Sequence, residues 1–242
     1  MNTIKLSDRQ VKMIAHRGVS GLERENTNAA FVAAGNRSYF GIETDIHRIA
    51  DGQFVAFHDL TTERVTNGAT NIEIKQYDYQ SLKEIVLPDL DGSTNRQDLR
   101  IPLLVDYIKT CKKYEKTGVL EIKHRFSRED LEEVVRIIKQ EDYLEHIIFI
   151  SFEIENCIIL RELLPESVIQ WLTSKELTQE MKDVLYQNEL GLDIRCDRLS
   201  KELVEELHLR QVEVNCYTCD TVELAESLIE MGVDYITTNI LE

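Results

Sequence analysis

Short apolar, β-branched segments alternate with longer amphipathic segments along the 242-residue chain. The apolar segments predict eight strands, at residues 11–15, 40–46, 119–122, 147–150, 168–172, 190–194, 212–217 and 233–237. Between the strands, apolar residues recur at helical spacing, for example at Leu131, Val134, Val135 and Ile138. Strands that alternate with helices over the whole length predict a parallel sheet, and eight such units favour an α/β fold closed into a (β/α)8 TIM barrel.

One connection is too long for a single crossover. About 70 residues separate the second predicted strand from the third, where far fewer are usual. This stretch contains an extra apolar run at residues 54–57, polar turns at Asn67-Gly68 and Asp91-Gly92, and a predicted helix at residues 102–113. We therefore expect one domain, residues 1–242, with a small insertion at residues 59–101 packed over one mouth of the barrel.

The composition narrows the classes of function. With 44 acidic and 28 basic side chains the formal charge is −16, which disfavours nucleic acid and anionic membrane surfaces as partners. No apolar run approaches the roughly 18–20 residues of a membrane span. Residues 1–10 are polar and do not resemble a secretory signal.

Cysteine usage points to a reducing compartment. The five cysteines are odd in number and scattered, which is typical of free thiols in a cytoplasmic protein. Cys216 and Cys219 form a C-x-x-C pair, but no second Cys/His pair accompanies them. We assign them no chemistry.

Three carboxylates fall at the C-terminal ends of predicted strands, where a barrel of this kind builds its active site. Glu43 and Asp45 are two residues apart on one strand, so both point to the same face. Glu121 lies on the next predicted barrel strand and can supply a third oxygen. A hard divalent cation, Mg²⁺ or Ca²⁺, would relieve the repulsion among these acids.

Two histidines and two cations fall at the same strand ends. His16 and His58 titrate near neutral pH, which suits a general base and a general acid. Arg17 and Lys123 can hold phosphate oxygens. Structural roles are expected for the remaining histidines, His47, His124, His146 and His208. A role in the site stays open for His47 and His124, which lie near the candidate residues in the sequence.

The ordered motifs resemble the signature of the glycerophosphodiester phosphodiesterase family. They are His16-Arg17, Glu25-Asn26-Thr27, Glu43-Thr44-Asp45, His58-Asp59, Arg64-Val65-Thr66-Asn67-Gly68, Leu120-Glu121-Ile122-Lys123 and the tail at residues 232–239. The resemblance covers about residues 12–240 and implies a barrel with a small insertion after its second strand. It also implies metal-dependent hydrolysis of glycerophosphodiesters to an alcohol and glycerol 3-phosphate.

The same resemblance implies roles for seven residues. Glu43, Asp45 and Glu121 would bind the metal, His16 and His58 would do the acid–base work, and Arg17 and Lys123 would steady the phosphate. We expect His58 to be the acid and His16 the base, an order that the sequence itself does not fix.

Four positions depart from the family pattern. Arg24 stands where the family usually has Pro, Tyr217 where Trp is common, and Tyr235 and Asn239 where a Gly and an Asp occur. We expect none of them to touch the proposed metal or proton-transfer groups. They bear instead on the shape of the alcohol pocket and hence on the headgroup accepted.

Two other functions remain as alternatives. A lysophospholipase D-like activity would need an apolar groove beside the site. A non-catalytic phosphodiester-binding barrel would be expected to lack a histidine or a carboxylate, and this sequence lacks neither. The expected partner is a small-molecule glycerophosphodiester, and the sequence leaves the oligomeric state open.

Overall fold

Parallel strands close into a barrel in the structure, a computed structural model that describes residues 2–7 and 11–242. The strands of this described part are β1 (Lys12–Ala15), β2 (Gly41–Arg48), β3 (Phe54–Ala56), β4 (Thr117–Ile122), β5 (Ile147–Ser151), β6 (Val168–Thr173), β7 (Gly191–Arg195), β8 (Val214–Tyr217) and β9 (Tyr235–Thr238). β1 pairs in parallel with both β2 and β9, which closes the sheet. Only β3 among them is antiparallel, against β2. The predicted (β/α)8 barrel is confirmed.

Helices cover the outside of the barrel. They are α1 (Asn28–Gly35), α2 (Tyr79–Leu82), α3 (Leu104–Lys113), α4 (Arg128–Gln140), α5 (Ile154–Leu163), α6 (Gln179–Gln187), α7 (Lys201–His208) and α8 (Val222–Met231). Hydroxyl side chains accept a backbone N–H at the start of several of them, as Ser127 does for α4 and Thr221 for α8. The predicted apolar face of α4 is buried against the barrel.

Element boundaries differ from the sequence prediction by at most two residues. β4 begins at Thr117, where Thr and Gly carry no apolar signal, because these residues pair with Gly41 and Ile42 of β2. The helix predicted from residue 102 begins at Leu104, after Pro102. The prediction made for residues 1–10 falls partly outside the described residues.

The long connection after β2 builds a small core of its own. The predicted apolar run at residues 54–57 supplies β3, and the segment that follows contains α2. Buried side chains of this connection and its flanks form a separate apolar cluster: Ile49, Val55, Phe57, Val65, Ile74, Leu82, Leu87, Leu99 and Ile101. Arg24, from the loop after β1, donates to the carbonyls of Pro88 and Asp89, so the connection is fastened to the strand ends.

The interior of the barrel contains an apolar cluster and a buried hydrogen-bonded group of polar side chains, Gln170, Asp193, Asn215 and Thr237. Ile14, Val119, Ile148, Ile150 and Leu172 belong to one buried cluster inside the sheet. All five cysteines are buried free thiols. Among the helices of residues 2–7 and 11–242, none has the length and apolar character needed to cross a membrane.

Candidate active site

Three carboxylates meet inside the barrel at the C-terminal ends of β2 and β4. Glu43 and Asp45 are two residues apart on β2, so both side chains point into the barrel. Parallel pairing places Glu121 of β4 opposite Asp45. One oxygen from each carboxylate lies within 4.8 Å of the other two. All three residues are buried. The structure thus brings together the three acids that the sequence predicts as ligands.

Burial makes this cluster electrostatically unfavourable. Desolvation, and then the charge of Asp45, raise the pKa of Glu121 to about 8. Burial and the same neighbour raise the pKa of Glu43 well above its ordinary value. Asp45 behaves differently: burial opposes its ionisation, but Lys123 and Arg17 outweigh burial and lower its pKa. Three acids in one buried site do not all ionise without further positive charge.

The donor set of this cluster fits a hard divalent cation. The three residues offer only carboxylate oxygens, which magnesium and calcium prefer and which suit zinc less well. Asp45 Oδ1 is buried and lacks a hydrogen-bond donor among the described residues, with Lys123 Nζ the nearby cation at 3.4 Å. A bound cation would also supply the positive charge that the raised pKa values of Glu43 and Glu121 call for.

Two basic side chains adjoin the acids. Arg17 Nε lies 3.4 Å from Asp45 Oδ2, and the Arg17 backbone N–H donates to Glu43 Oε2 at 2.8 Å. Lys123 Nζ lies 2.8 Å from Glu121 Oε1. Burial works against both positive charges, but the surrounding carboxylates raise the pKa of Arg17 and of Lys123. Both side chains therefore remain cationic beside the cluster.

His16 lies at the end of β1 and is held from behind by Asn239. The distance between His16 Nδ1 and Asn239 Oδ1 is 2.8 Å. Asn239 Nδ2 donates to Asp220 at 2.6 Å, so the Asn239 oxygen faces the imidazole and accepts a hydrogen bond from the Nδ1–H group. His16 Nε2 is then the unprotonated nitrogen, 4.0 Å from Glu43 Oε2. Burial, and then Arg17, lower the pKa of His16 to about 4.

His58 follows β3 and is held by a carboxylate. Its Nδ1 donates to Asp59 Oδ1 at 2.6 Å, which leaves Nε2 free to exchange a proton. Burial lowers the pKa of His58, against the opposing charge of Asp45. His47, one of the two histidines that the sequence leaves open, donates from Nε2 to the His58 carbonyl at 3.0 Å. His47 therefore fixes the backbone that carries His58.

Both histidines line one cavity of about 190 Å³ at this mouth of the barrel. Glu43, Glu121 and Arg17 line it as well. Its other wall is largely apolar and contains Ile150, Phe152, Leu172 and Tyr217. The arrangement places proton-exchanging groups, anion-binding groups and an acidic cluster around a space that holds a small molecule.

Tyr235 does not belong to this cavity. Its hydroxyl lies 3.2 Å from Lys12 Nζ and donates to Glu213 at 3.0 Å, at the opposite mouth of the barrel. A larger cavity of about 680 Å³ opens there. The expectation that Tyr235 shapes the alcohol pocket is wrong. Tyr235 lies at the N-terminal end of β9, whereas the site lies at the C-terminal ends of the barrel strands.

Several residues that support the site carry no role in the sequence prediction. Asn26 Nδ2 donates to Asp45 Oδ2 at 2.8 Å, and Asp220 holds Asn239 from a different loop. Asp193 of β7 lines the cavity wall, and burial raises its pKa well above the ordinary value. A carboxylate inside a predicted strand was a usable signal for Asp193. No sequence signal links Asp220 to His16, because the contact depends on how two loops meet.

Comparison with known proteins identifies the family to which the chain belongs. The model of the glycerophosphoryl diester phosphodiesterase family matches residues 16–242. The chain belongs to this family. It is 28% identical over 229 residues to the glycerophosphodiester phosphodiesterase of Caldanaerobacter subterraneus subsp. tengcongensis, covering 94% of this chain and 93% of that one.

Solved structures of the glycerophosphodiester phosphodiesterase family share the barrel. An Oleispira antarctica phosphodiesterase in complex with the product sn-glycerol-3-phosphate superposes with a TM-score of 0.81 at 26% identity, covering 94% of this chain and 92% of that one. The Thermotoga maritima glycerophosphodiester phosphodiesterase, at 22% identity and a TM-score of 0.77 over 96% of both chains, shares the fold.

Two departures from the family pattern lie in the site, and the expectation that none of them touches a proton-transfer group is wrong for Asn239, which contacts His16. Tyr217 lines the cavity and donates its hydroxyl to the Thr173 carbonyl at 3.0 Å, which fixes its ring against the apolar wall. Asn239 gives His16 a neutral amide partner where the glycerophosphodiester phosphodiesterase family usually has an acid.

Proposed function

We propose that this protein hydrolyses glycerophosphodiesters to an alcohol and sn-glycerol 3-phosphate. The observation that carries the proposal is one cavity lined by two histidines together with a buried three-carboxylate cluster and an arginine. Membership of the family supports it, as does the Oleispira antarctica relative, whose structure contains sn-glycerol-3-phosphate. We further propose that the chain acts as one barrel domain with residues 59–101 as its insertion.

A divalent cation, Mg²⁺ or Ca²⁺, is the proposed cofactor, held by Glu43, Asp45 and Glu121. When bound, it supplies positive charge that favours a phosphodiester and the further negative charge of the transition state. The buried oxygens of the cluster support this role. Arg17 and Lys123 border the cluster and would bind the non-bridging phosphate oxygens.

The two histidines divide the proton transfers. His16, unprotonated at Nε2, would accept a proton from the nucleophile, which is water or the glycerol hydroxyl of the substrate itself. His58 would donate a proton to the departing alkoxide oxygen as the phosphorus–oxygen ester bond breaks. This order is supported by the partner groups: His58 faces the anion Asp59, which favours imidazolium, whereas His16 faces a neutral amide.

A second candidate function is supported by the apolar wall. Phe152 is 44% exposed at the rim, next to Tyr217, with ring centroids 6.3 Å apart. An acyl chain could lie on this surface while the phosphodiester occupies the cavity. A lysophospholipase D-like activity, which releases the headgroup alcohol from a lysophospholipid, is therefore the alternative substrate class. A cytoplasmic site of action, proposed from the five free thiols, favours the smaller diester.

Release of sn-glycerol 3-phosphate tests the proposal directly. The purified protein, first stripped with EDTA, is assayed with added Mg²⁺ or Ca²⁺ on glycerophosphocholine, glycerophosphoethanolamine and a lysophosphatidylcholine. We expect metal-dependent release, and a loss of about 10²–10⁴-fold in His16→Ala and in His58→Ala. His146→Ala, an exposed histidine far from the cavity, is the control. Near-native turnover in both His16→Ala and His58→Ala would contradict the assignment.

A further inference from the structure

Arg64 joins two carboxylates at the edge of the site. Its Nη1 and Nη2 donate to the two oxygens of Glu25 at 2.8 and 2.7 Å. Its Nε donates to Asp59 Oδ2 at 2.6 Å. The planar guanidinium therefore spans two acids from different loops, one after β1 and one after β3.

Each of these carboxylates also holds a residue of the proposed machinery. Glu25 Oε1 accepts from Arg17 Nη1 at 2.9 Å, and Asp59 Oδ1 accepts from His58 Nδ1 at 2.6 Å. Glu25 thus binds Arg64 through both oxygens and Asp59 binds it through one, while each acid also binds one group that borders the cavity. Burial opposes ionisation of Glu25, but Arg64 and Arg17 lower its pKa, so the bridge is between charged groups.

We propose that Arg64 is a positioning residue that sets Arg17 and His58 relative to each other. This inference rests on the function proposed above, in which Arg17 binds the phosphate and His58 protonates the leaving group. Without Arg64, the Glu25 and Asp59 side chains lose their common anchor, and each can rotate away from its partner. The group that binds the phosphate, Arg17, and the group that protonates the leaving alkoxide, His58, are then no longer held at a fixed distance from each other.

Stability does not account for this arrangement. The Arg64 side chain is 48% exposed, and ion pairs of exposed side chains contribute little to folding. Misplacement of catalytic groups, by contrast, is costly, since a shift of about 1 Å can reduce rates about 100-fold. Arg64 also lies in the connection that leaves the barrel after β2, so it makes this connection part of the site.

Arg96 provides a matched control. It also fastens the connection to the loop after β1, with Nη1 2.6 Å from Glu23 Oε2 and Nη2 2.7 Å from Asp98 Oδ2. Neither Glu23 nor Asp98 contacts Arg17 or His58 in the described part of the chain. Arg96→Gln therefore removes a similar surface bridge without touching the proposed machinery.

The test compares Arg64→Gln, Arg64→Lys and Arg96→Gln in the metal-loaded full chain. We expect kcat/KM on glycerophosphocholine to fall about 10–100-fold in Arg64→Gln and less than about 3-fold in Arg96→Gln. Arg64→Lys should recover only part of the loss, because an ammonium cannot make the bidentate contact. Melting temperatures of the variants should stay close to that of the unmodified protein.

Leaving-group dependence separates positioning from a general structural effect. A glycerophosphodiester of p-nitrophenol needs little help from an acid, so the His58 part of the defect should shrink while the Arg17 part remains. We expect the loss in Arg64→Gln to be at least about 3-fold smaller on this ester than on glycerophosphocholine. Equal losses on both esters, or equal effects of Arg64→Gln and Arg96→Gln, would overturn the inference.

A binding measurement keeps this inference distinct from the proposed function. Calorimetric titration with sn-glycerol 3-phosphate should give weaker binding in Arg64→Gln than in Arg96→Gln, whether or not turnover is seen. Absence of turnover in the unmodified protein would refute the hydrolase assignment alone. Unchanged product affinity together with unchanged turnover in Arg64→Gln would refute the positioning role alone.

Discussion

Asn239 presents a neutral oxygen to His16, 2.8 Å from Nδ1, and so fixes the imidazole without adding a charge. The negative charge of Asp220 lies one hydrogen bond further away, on Asn239 Nδ2. His58 has the opposite arrangement, with Asp59 directly on its Nδ1. Two histidines that face one cavity thus have partners of different charge, which pushes their proton affinities apart. This asymmetry is the physical basis for assigning one as base and the other as acid.

Replacing Asn239 with Asp should move the pH profile. The pKa of His16 is lowered to about 4 by burial and then by Arg17, so the neutral base form exists above that pH. Because Asp220 lies 2.6 Å from the replaced amide nitrogen, Asn239→Asp is made in an Asp220→Asn background, so that two carboxylates do not share one proton. A carboxylate on Nδ1 then favours imidazolium and should raise the pKa of His16 by about 1–3 units. Activity is lost as pH falls through the pKa, so the acid limb of kcat/KM for Asn239→Asp should lie at higher pH.

The control for this change is Asp220→Asn, which removes the more distant charge. It should shift the same limb slightly to lower pH, because it takes away a negative charge. An acid limb that stays at the same pH in Asn239→Asp would show that His16 is not the base. The measurement is kcat/KM on glycerophosphocholine from about pH 3 to about pH 8, with metal at saturation, so that limbs on both sides of the pKa of His16 are covered.

Metal binding should stabilise the fold more strongly as pH rises. Burial and Asp45 raise the pKa of Glu121 to about 8 in the folded protein, above its ordinary 4.5. The folded state then holds a proton that the unfolded state lacks, so stability without metal falls as pH rises from 4.5 to 8. A divalent cation replaces that proton and should remove the fall.

Melting temperatures in EDTA and in excess Mg²⁺ or Ca²⁺ check this expectation between pH 5 and pH 8. The difference between the two conditions should widen with pH, and a cation at 100 times its Kd should add about 2.7 kcal/mol of stability. Glu121→Gln is the matched variant, expected to flatten the pH dependence and weaken the metal effect. A metal effect that is equally large in Glu121→Gln would argue against this site.

The barrel could be predicted from the sequence because the spacing of apolar residues reflects which faces of its strands and helices are buried. In β4, Val119 faces the barrel interior and Leu120 and Ile122 face the helices outside, so both faces carry buried apolar residues beside the inward Glu121. The acid pair Glu43 and Asp45 was also recognisable, because strand alternation alone places both on one face. These features depend on neighbours along the chain.

Contacts between loops that are distant in the chain could not be predicted from the sequence. Arg64 reaches Glu25 across 39 positions, and Asp220 reaches Asn239 across 19. Glu25 and Arg64 belong to motifs that the sequence analysis recognises, but nothing in the local pattern shows that their side chains contact each other. The position of Tyr235 shows the same limit. The pairing register of β9 decides which end of the barrel Tyr235 lies at, and the sequence does not give that register.

Burial of the predicted α4 face makes a stability prediction. Leu131 is fully buried against the barrel, whereas Leu209 is 85% exposed at the end of α7. Leu131→Ala should lower the free energy of unfolding by about 2–5 kcal/mol, through lost burial and a residual cavity. Leu209→Ala should change it by less than about 0.5 kcal/mol. Urea titration of both variants checks the pair, and similar losses would contradict the burial assigned to α4.

The apolar rim distinguishes the two substrate classes. Phe152 lies beside the cavity with its ring 44% exposed, while its backbone carbonyl is held by Trp171 Nε1 at 3.3 Å. Phe152→Ser should therefore change the rim with little change in the backbone. Full burial of a Phe side chain is worth about 1.5–3 kcal/mol, and an acyl chain would cover only the exposed part of Phe152, so KM for a lysophosphatidylcholine should rise about 3–10-fold if its acyl chain lies there. Phe152→Leu keeps an apolar surface and should lose much less. Glycerophosphocholine has no acyl chain, so its kcat/KM should change less than about 3-fold in either variant, and equal losses on both substrates would exclude the rim as a lipid contact.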